Sequence, residues 1–272
     1  MERIKDALER ARQQQLLKSG SGSNEAVATS SAGEQAYTGG EIKYSHTKVV
    51  SLQQSSLKRK RIIAGSGFDE ILSAYKMLRT QVLQRMNAKG WNALAVTSPG
   101  PGQGKTTTAI NLAISLAREL SYTVLLVDFD MVKPGIHDQL SLTPAKGITD
   151  FLLHNTPLSE ILINPGIERL VVLPGRESVT NSSELLASPK MAQLVDELKS
   201  RYPSRLVIFD LPPVLSVDDA LAFTPFVDAV LLVIEEGSST KDEVLHAIEV
   251  LKNTYILGTV LNKSQEKIAP YY

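Results

Sequence analysis

The sequence predicts an α/β protein built on a mostly parallel sheet, covered by helices on both faces and preceded by a flexible N-terminal segment. Three observations predict it. Short apolar runs rich in β-branched residues, at 93–97, 123–128, 169–173, 205–209, 228–234 and 256–261, alternate with helical-period segments near 105–120, 147–154, 188–200, 217–223 and 241–253. Such continuously apolar strands are what a sheet buried on both faces requires. A glycine-rich turn, Ser98 to Thr108, separates the first of these strands from the helix that follows it. Two further strands end in acids, Asp128 with Asp130 and Asp210, at the sheet edge where open α/β sheets bind ligands.

Along the chain, residues 2–18 read as a short helix with Ile4, Ala7, Leu8 and Ala11 on one thin apolar face, suited to solvent or to docking. Residues 19–64 read as a flexible linker. Its Ser-Gly and Ala-Thr-Ser stretches have little apolar surface to set against ordering entropy, and it ends in the basic run Lys58-Arg59-Lys60-Arg61. A charge run of this kind is a solvated boundary, or a contact for an acidic partner or lipid. The folded domain is expected over 65–265. It opens with an amphipathic helix near Asp69, in which Ile71, Leu72, Tyr75, Leu78, Val82, Leu83 and Met86 recur at helical spacing. Residues 266–272 form a mobile tail ending in Tyr271 and Tyr272.

Composition narrows the function classes. The 272 residues are 43% hydrophobic and 21% charged, with 29 basic and 29 acidic residues, so no nucleic-acid partner is expected. The chain has no cysteine, which removes disulfide and thiolate chemistry. The charged start lacks an apolar signal core, and no apolar run reaches the roughly 20 residues that span a bilayer.

The chemistry lies in three motifs. In the turn, Gly102, Gln103, Gly104, Lys105, Thr106 and Thr107 form the end of a phosphate-binding loop, although Pro99 stands where the usual pattern begins with glycine. Glycines let the backbone N–H groups converge on a polyphosphate at the dipole end of the helix. Lys105 would reach the β/γ-phosphates of a bound nucleotide, and the Thr106 hydroxyl would ligate Mg2+. Alternation points Asp128 and Asp130 the same way at one strand end. Asp210 ends another strand, before Leu211-Pro212-Pro213. Mg2+ accepts few carboxylates and keeps waters, so Thr106, Asp128 and Asp210 are the candidate metal ligands. Lys105, Asp128, Asp130 and Asp210 are the candidate catalytic set for phosphoryl transfer.

Phosphate loop, Asp-x-Asp strand and Asp-x-Pro-Pro strand, in this order over about residues 68–264, resemble the bacterial tyrosine kinases of the MinD/ParA-like P-loop ATPases. Asn181-Ser182-Ser183-Glu184-Leu185-Leu186-Ala187-Ser188-Pro189 and Leu257-Gly258-Thr259-Val260-Leu261-Asn262-Lys263 are similar to two more family segments. The resemblance implies a P-loop NTPase fold, ATP and Mg2+ as cofactors, tyrosine autophosphorylation and control of exopolysaccharide synthesis and export. It gives Asn262 the role of reading adenine, makes Asp128 or Asp130 the base and makes Tyr271 and Tyr272 the phosphoacceptors in trans. It also implies a homo-oligomer, a separate transmembrane activator of chain-length-determinant type and a cognate phosphatase. The place of action would be the cytoplasmic side of the membrane. Gly100 replaces the second loop lysine of partitioning ATPases, which favours the kinase branch. Departures from the kinase pattern are Val132, where many members carry Arg, and Ser73, Lys76 and Arg79 at the Glu-x-x-Arg-x-x-Arg positions. The alternative is a MinD/ParA-like ATPase, or a non-catalytic module switched by ATP.

Overall fold

The computed structural model describes residues 47–64, 69–202 and 204–265. The expected helix at 2–18, most of the expected linker and the tail with Tyr271 and Tyr272 lie outside these residues. The apolar runs form the centre of the molecule. β2 (Ala93–Thr97), β3 (Thr123–Asp128), β6 (Arg205–Asp210) and β7 (Ala229–Glu235) are buried over most of their length. With β5 (Leu170–Leu173) and β8 (Ile256–Asn262) they pair in parallel throughout. With the two-residue strands β1 (Lys48–Val49) and β4 (Ile163–Asn164), the sheet of the described residues runs β1-β4-β5-β3-β6-β2-β7-β8. β1 pairs parallel with β4, and β4 joins β5 antiparallel.

Alternation along each central strand feeds two cores. Leu94, Val96, Leu126, Ile208 and Leu231 meet α2 (Asp69–Asn87) and α3 (Lys105–Ala117) through Val82, Met86, Ile110 and Leu112. Ala95, Val127, Phe209 and Leu232 face the other way. There they meet Ile148 of α5 (Ile148–His154), Leu194 of α8 (Pro189–Ser200) and Phe223 of α9 (Asp219–Phe223). Phe129, Phe209 and Phe223 form one aromatic cluster, with ring centroids 4.7 to 5.4 Å apart. Local signals start the helices on the second face. Ser188 accepts from Met191 N–H ahead of Pro189 at the first turn of α8. Thr240 and Glu243 form a reciprocal capping box at α10 (Lys241–Val250).

The sequence reading needs correction at residues 47–64, placed at the end of a flexible linker. These residues form β1 and α1 (Gln54–Arg59), and Leu57, Ile62 and Ile63 are buried at 0%, 0% and 1% exposure in the α2/α3 core. The compositional signal of the preceding Ser-Gly stretch obscured three isolated apolar anchors. β1 and β4 were also missed, because two-residue strands are too short to show a period. Short helices α4 (Ile136–Gln139), α6 (Leu158–Ile161) and α7 (Ser182–Leu186) complete the fold.

Leu57→Ala and Ile62→Ala should each destabilise the protein by about 2–5 kcal/mol, the usual cost of emptying a packed aliphatic site. Chemical denaturation measures it; unchanged midpoints in both variants would mean the segment is not part of the core.

Candidate active site

β2 delivers the phosphate loop to the C-terminal edge of the sheet. The Thr97 hydroxyl donates to Pro212 C=O at 2.6 Å and the Ser98 hydroxyl to Gly100 C=O at 2.7 Å, tying the end of β2 to the segment that follows β6 and the start of the loop to itself. Gly104 has φ +90°, a left-handed conformation that favours glycine, and caps α3 there. It is also closely approached: an added Cβ would stand 2.0 Å from Asn262 Nδ2. Asn262 Nδ2 donates to Gln103 C=O at 2.9 Å. Lys263 Nζ donates to Gly102 C=O at 2.9 Å while pairing with Glu235 at 2.8 Å. The end of β8 thus braces the loop.

Asp128 and Asp210 face each other in the register of β3 and β6, which sets two carboxylates side by side. Lys105 Nζ lies 2.7 Å from Asp130 Oδ2 and 3.4 Å from Asp210 Oδ1. The Thr106 hydroxyl donates to Asp210 Oδ2 at 2.7 Å. Asp128 Oδ2 accepts the N–H groups of Gly135 and Ile136, both at 3.0 Å, and Asp130 Oδ1 accepts from Lys133 N–H at 2.9 Å. Asp128 and Asp210 are fully buried, and Asp130 retains 5% exposure.

When all three acids are ionised, Lys105 leaves two negative charges uncompensated in a dry site. Burial, then the Asp210 charge, pushes the Asp128 carboxyl up to about 8. Burial also raises Asp210, against the opposing pull of Lys105 and the Thr106 hydrogen bond. Burial alone would lower the Lys105 pKa; the charges of Asp210 and Asp130 outweigh it and hold the ammonium above its ordinary value. Protons relieve this imbalance, and so would a divalent cation.

The site fits Mg2+. Asp128 Oδ1 is buried with no hydrogen-bond partner, and the nearby donors are hard oxygens. No set of three or more His, Cys, Asp or Glu side chains among the described residues could hold a metal by itself.

The structure therefore brings Lys105, Thr106, Asp128, Asp130 and Asp210 together, as the motifs predict. Gly102, Gln103 and Gly104 form the loop itself. Thr107 turns its side chain toward Gln139, 3.4 Å away, and Asn262 sits behind the loop. Sequence reasoning missed the brace by Lys263 and a further acid, Asp219. Asp219 opens α9 with Oδ2 buried and unpartnered; burial raises its pKa, and the Asp130 charge adds to the shift. The Asp218-Asp219 pair following Pro212-Pro213, at the start of an apolar helical run, was the available signal. Of the atypical α2 positions, Ser73 and Lys76 are exposed, while Arg79 is engaged internally with Glu119 at 2.8 Å and Ser115 C=O at 3.1 Å.

The AAA domain family matches residues 92–260. Tyrosine-protein kinase YwqD of Bacillus subtilis is 33% identical over 190 residues, which span 69% of this chain and 79% of YwqD. Tyrosine-protein kinase CpsD of Streptococcus pneumoniae is 34% identical over 202 residues, 72% of this chain and 86% of CpsD. The chain belongs to the bacterial tyrosine-protein kinases. The crystal structure of the chimerical protein CapA2B2 matches the kinase with a TM-score of 0.67 at 32% identity, covering 80% of this chain and 95% of that one. MinD of Pyrococcus horikoshii, complexed with Mg-ADP, shares the kinase's fold at a TM-score of 0.54 and 24% identity, over 65% of this chain and 73% of MinD. No helix among the described residues of the kinase is long and apolar enough to cross a membrane.

Two predictions follow from the geometry. Asp128 has a folded pKa of about 8 against an ordinary 3.8, so the folded state holds a proton that the unfolded chain releases. The resulting stabilisation is complete below the unfolded pKa and is lost as pH rises through the folded one. Relative to wild type, nucleotide-free Asp128→Asn should therefore gain stability between about pH 4 and 8. Thermal melts across that range measure it; a pH-independent difference would contradict the assignment.

Gly104→Ala should cost about 1–3 kcal/mol through its left-handed backbone and the Asn262 contact. The cost should shrink in an Asn262→Ala background. A double-mutant cycle by denaturation reads the coupling, and strict additivity would remove the brace from the account.

Proposed function

We propose that this kinase is an ATP-dependent protein-tyrosine autokinase that phosphorylates Tyr271 and Tyr272 of a neighbouring copy. The observation that carries the reading is the convergence of Lys105, Thr106 and three strand-edge acids beside one glycine-rich loop. Bound Mg2+ would neutralise the charge on the β- and γ-phosphate oxygens. Thr106, Asp210 and Asp128 would hold it. Lys105, already positioned by Asp130 and Asp210, would contact the phosphates, and the loop amides would cradle them. Asp130 is the acid best placed to take the tyrosine proton, because it alone of the three keeps any exposure to an incoming side chain. Asn262 would contact the adenine while bracing the loop.

The family resemblance extends the proposal to control of exopolysaccharide synthesis and export. There the kinase would work as a homo-oligomer at the inner face of the membrane, with a separate transmembrane activator and a cognate phosphatase.

Incubation with labelled ATP and Mg2+, followed by phosphotyrosine mapping, tests the proposal. Wild type should label Tyr271 and Tyr272. Lys105→Met should lose about 100-fold or more of the rate, since a charge-assisted phosphate contact is lost in a dry site. Tyr271→Phe/Tyr272→Phe should keep Mg·ATP affinity while losing most of the label. ATP hydrolysis without phosphotyrosine would transfer the chain to the partitioning-type ATPase reading.

A further inference from the structure

The basic run that the sequence leaves as a charged boundary has a defined place. A cleft of about 310 Å3 lies beside the start of α3, lined by Arg59, Lys60, Arg61, Thr107, Asp138 and Gln139. Its cations are not equivalent. Lys60 Nζ is committed to Asp138 C=O and to the Ser141 hydroxyl, so it fastens α1 to α4. Arg59 and Arg61 are exposed and form no ion pair among the described residues. Asp138 is the acid on the rim; its carboxylate is 83% exposed and lies 3.7 Å from His137 Nε2.

The turn beneath the two guanidinium groups is tied to α3. Arg61 adopts φ +57°. Asn111, buried in α3, donates from Nδ2 to Arg61 C=O at 2.9 Å and accepts Ile63 N–H at 3.0 Å through Oδ1. Ile62 and Ile63 are buried directly after the turn. The helix that carries the phosphate loop therefore also sets the position of the basic turn, and Thr107, which lines the cleft, follows the candidate metal ligand Thr106.

Volume and chemistry select the ligand. The cleft is at the lower limit of small-molecule sites, roughly 300–1,000 Å3, which suits one side-chain-sized group better than a whole nucleotide. Guanidinium forks match phosphate oxygens, and the Gln139 side-chain amide adds a neutral donor. A phosphorylated tyrosine carries roughly −1.5 to −2 charges at neutral pH on an aromatic stem. We propose that this cleft binds a phosphotyrosine side chain of the kinase's own tail, retaining the product next to the site that makes it. The identity of the ligand rests on the autokinase reading; the cleft and its charge do not.

The test uses the full chain with Mg2+ and a non-hydrolysable ATP analogue. Its probe is a synthetic peptide of residues 264–272 phosphorylated at Tyr271 and Tyr272, followed by fluorescence anisotropy. The unphosphorylated peptide should bind at least about tenfold more weakly, and Arg59→Gln/Arg61→Gln should weaken the phosphopeptide by a similar factor. Lys58→Gln, a basic position outside the cleft lining, should leave binding unchanged. Melting temperature and Mg·ATP affinity of the double variant should match wild type.

Equal phosphopeptide binding by wild type and the double variant overturns the proposal. So does a tenfold loss of Mg·ATP affinity in that variant, which would make the cleft part of the nucleotide site. Inorganic phosphate competing as well as the phosphopeptide would reduce it to a bare anion site. Binding of the two arginines to phosphatidylserine vesicles in place of the phosphopeptide would assign the cleft to a membrane. Because the peptide is phosphorylated chemically, binding without any autophosphorylation would fail the autokinase reading alone. Autophosphorylation without cleft-dependent binding would fail the cleft alone.

Discussion

The pairing of Asp128 with Asp210 across two adjacent parallel strands is the constraint on which the site depends. Parallel register brings both strand ends to the same edge, where both carboxylates are buried at 0% exposure. One ammonium, Lys105, faces three acids there. A buried charge excess of this kind is costly, and the nucleotide-free protein relieves it by holding a proton near Asp128. The same excess of negative charge is what the proposed Mg2+ would relieve, and folding has already placed the carboxylates side by side.

The rest of the fold serves that placement. α3 is buried along nearly its whole length and connects the loop at its start to the sheet core and to α2. The amide groups of Gly135 and Ile136 fix one oxygen of Asp128 and leave the other without a partner. Gly175 passes so close that an added Cβ would come within 3.2 Å of the Asp128 carboxyl carbon. The geometry of Asp128 is therefore set by backbone rather than by mobile side chains, which suits a reaction that depends on positioning.

Much of this was legible in the sequence because its signals are local. A strand that ends in an acid, or a glycine turn that opens a helix, occupies fewer than a dozen consecutive residues, and Lys105, Thr106, Asp128, Asp130 and Asp210 converge as their motifs imply. What was not legible depends on contacts between distant segments. Leu57, Ile62 and Ile63 look like stray apolar residues beside a polar, glycine-rich stretch until α2 and α3 enclose them. The partnership of Asn111 with the Arg61 turn spans 50 residues and leaves no periodic trace. Asn262 could be singled out by resemblance, but its contact with Gln103 spans 159 residues and belongs to the folded sheet.

That last contact joins two parts of the molecule with different tasks. β8 lies at the edge of the sheet, and the chain leaves it through Asn262 and Lys263, the two residues that grip the loop carbonyls at Gln103 and Gly102. The route out of the folded unit is therefore anchored to the phosphate loop itself. Tension on the terminal segment would meet the Gln265 N–H bond to Glu236 first and these two side-chain bonds next, so the loop would act as a strain gauge for whatever holds the end of the chain.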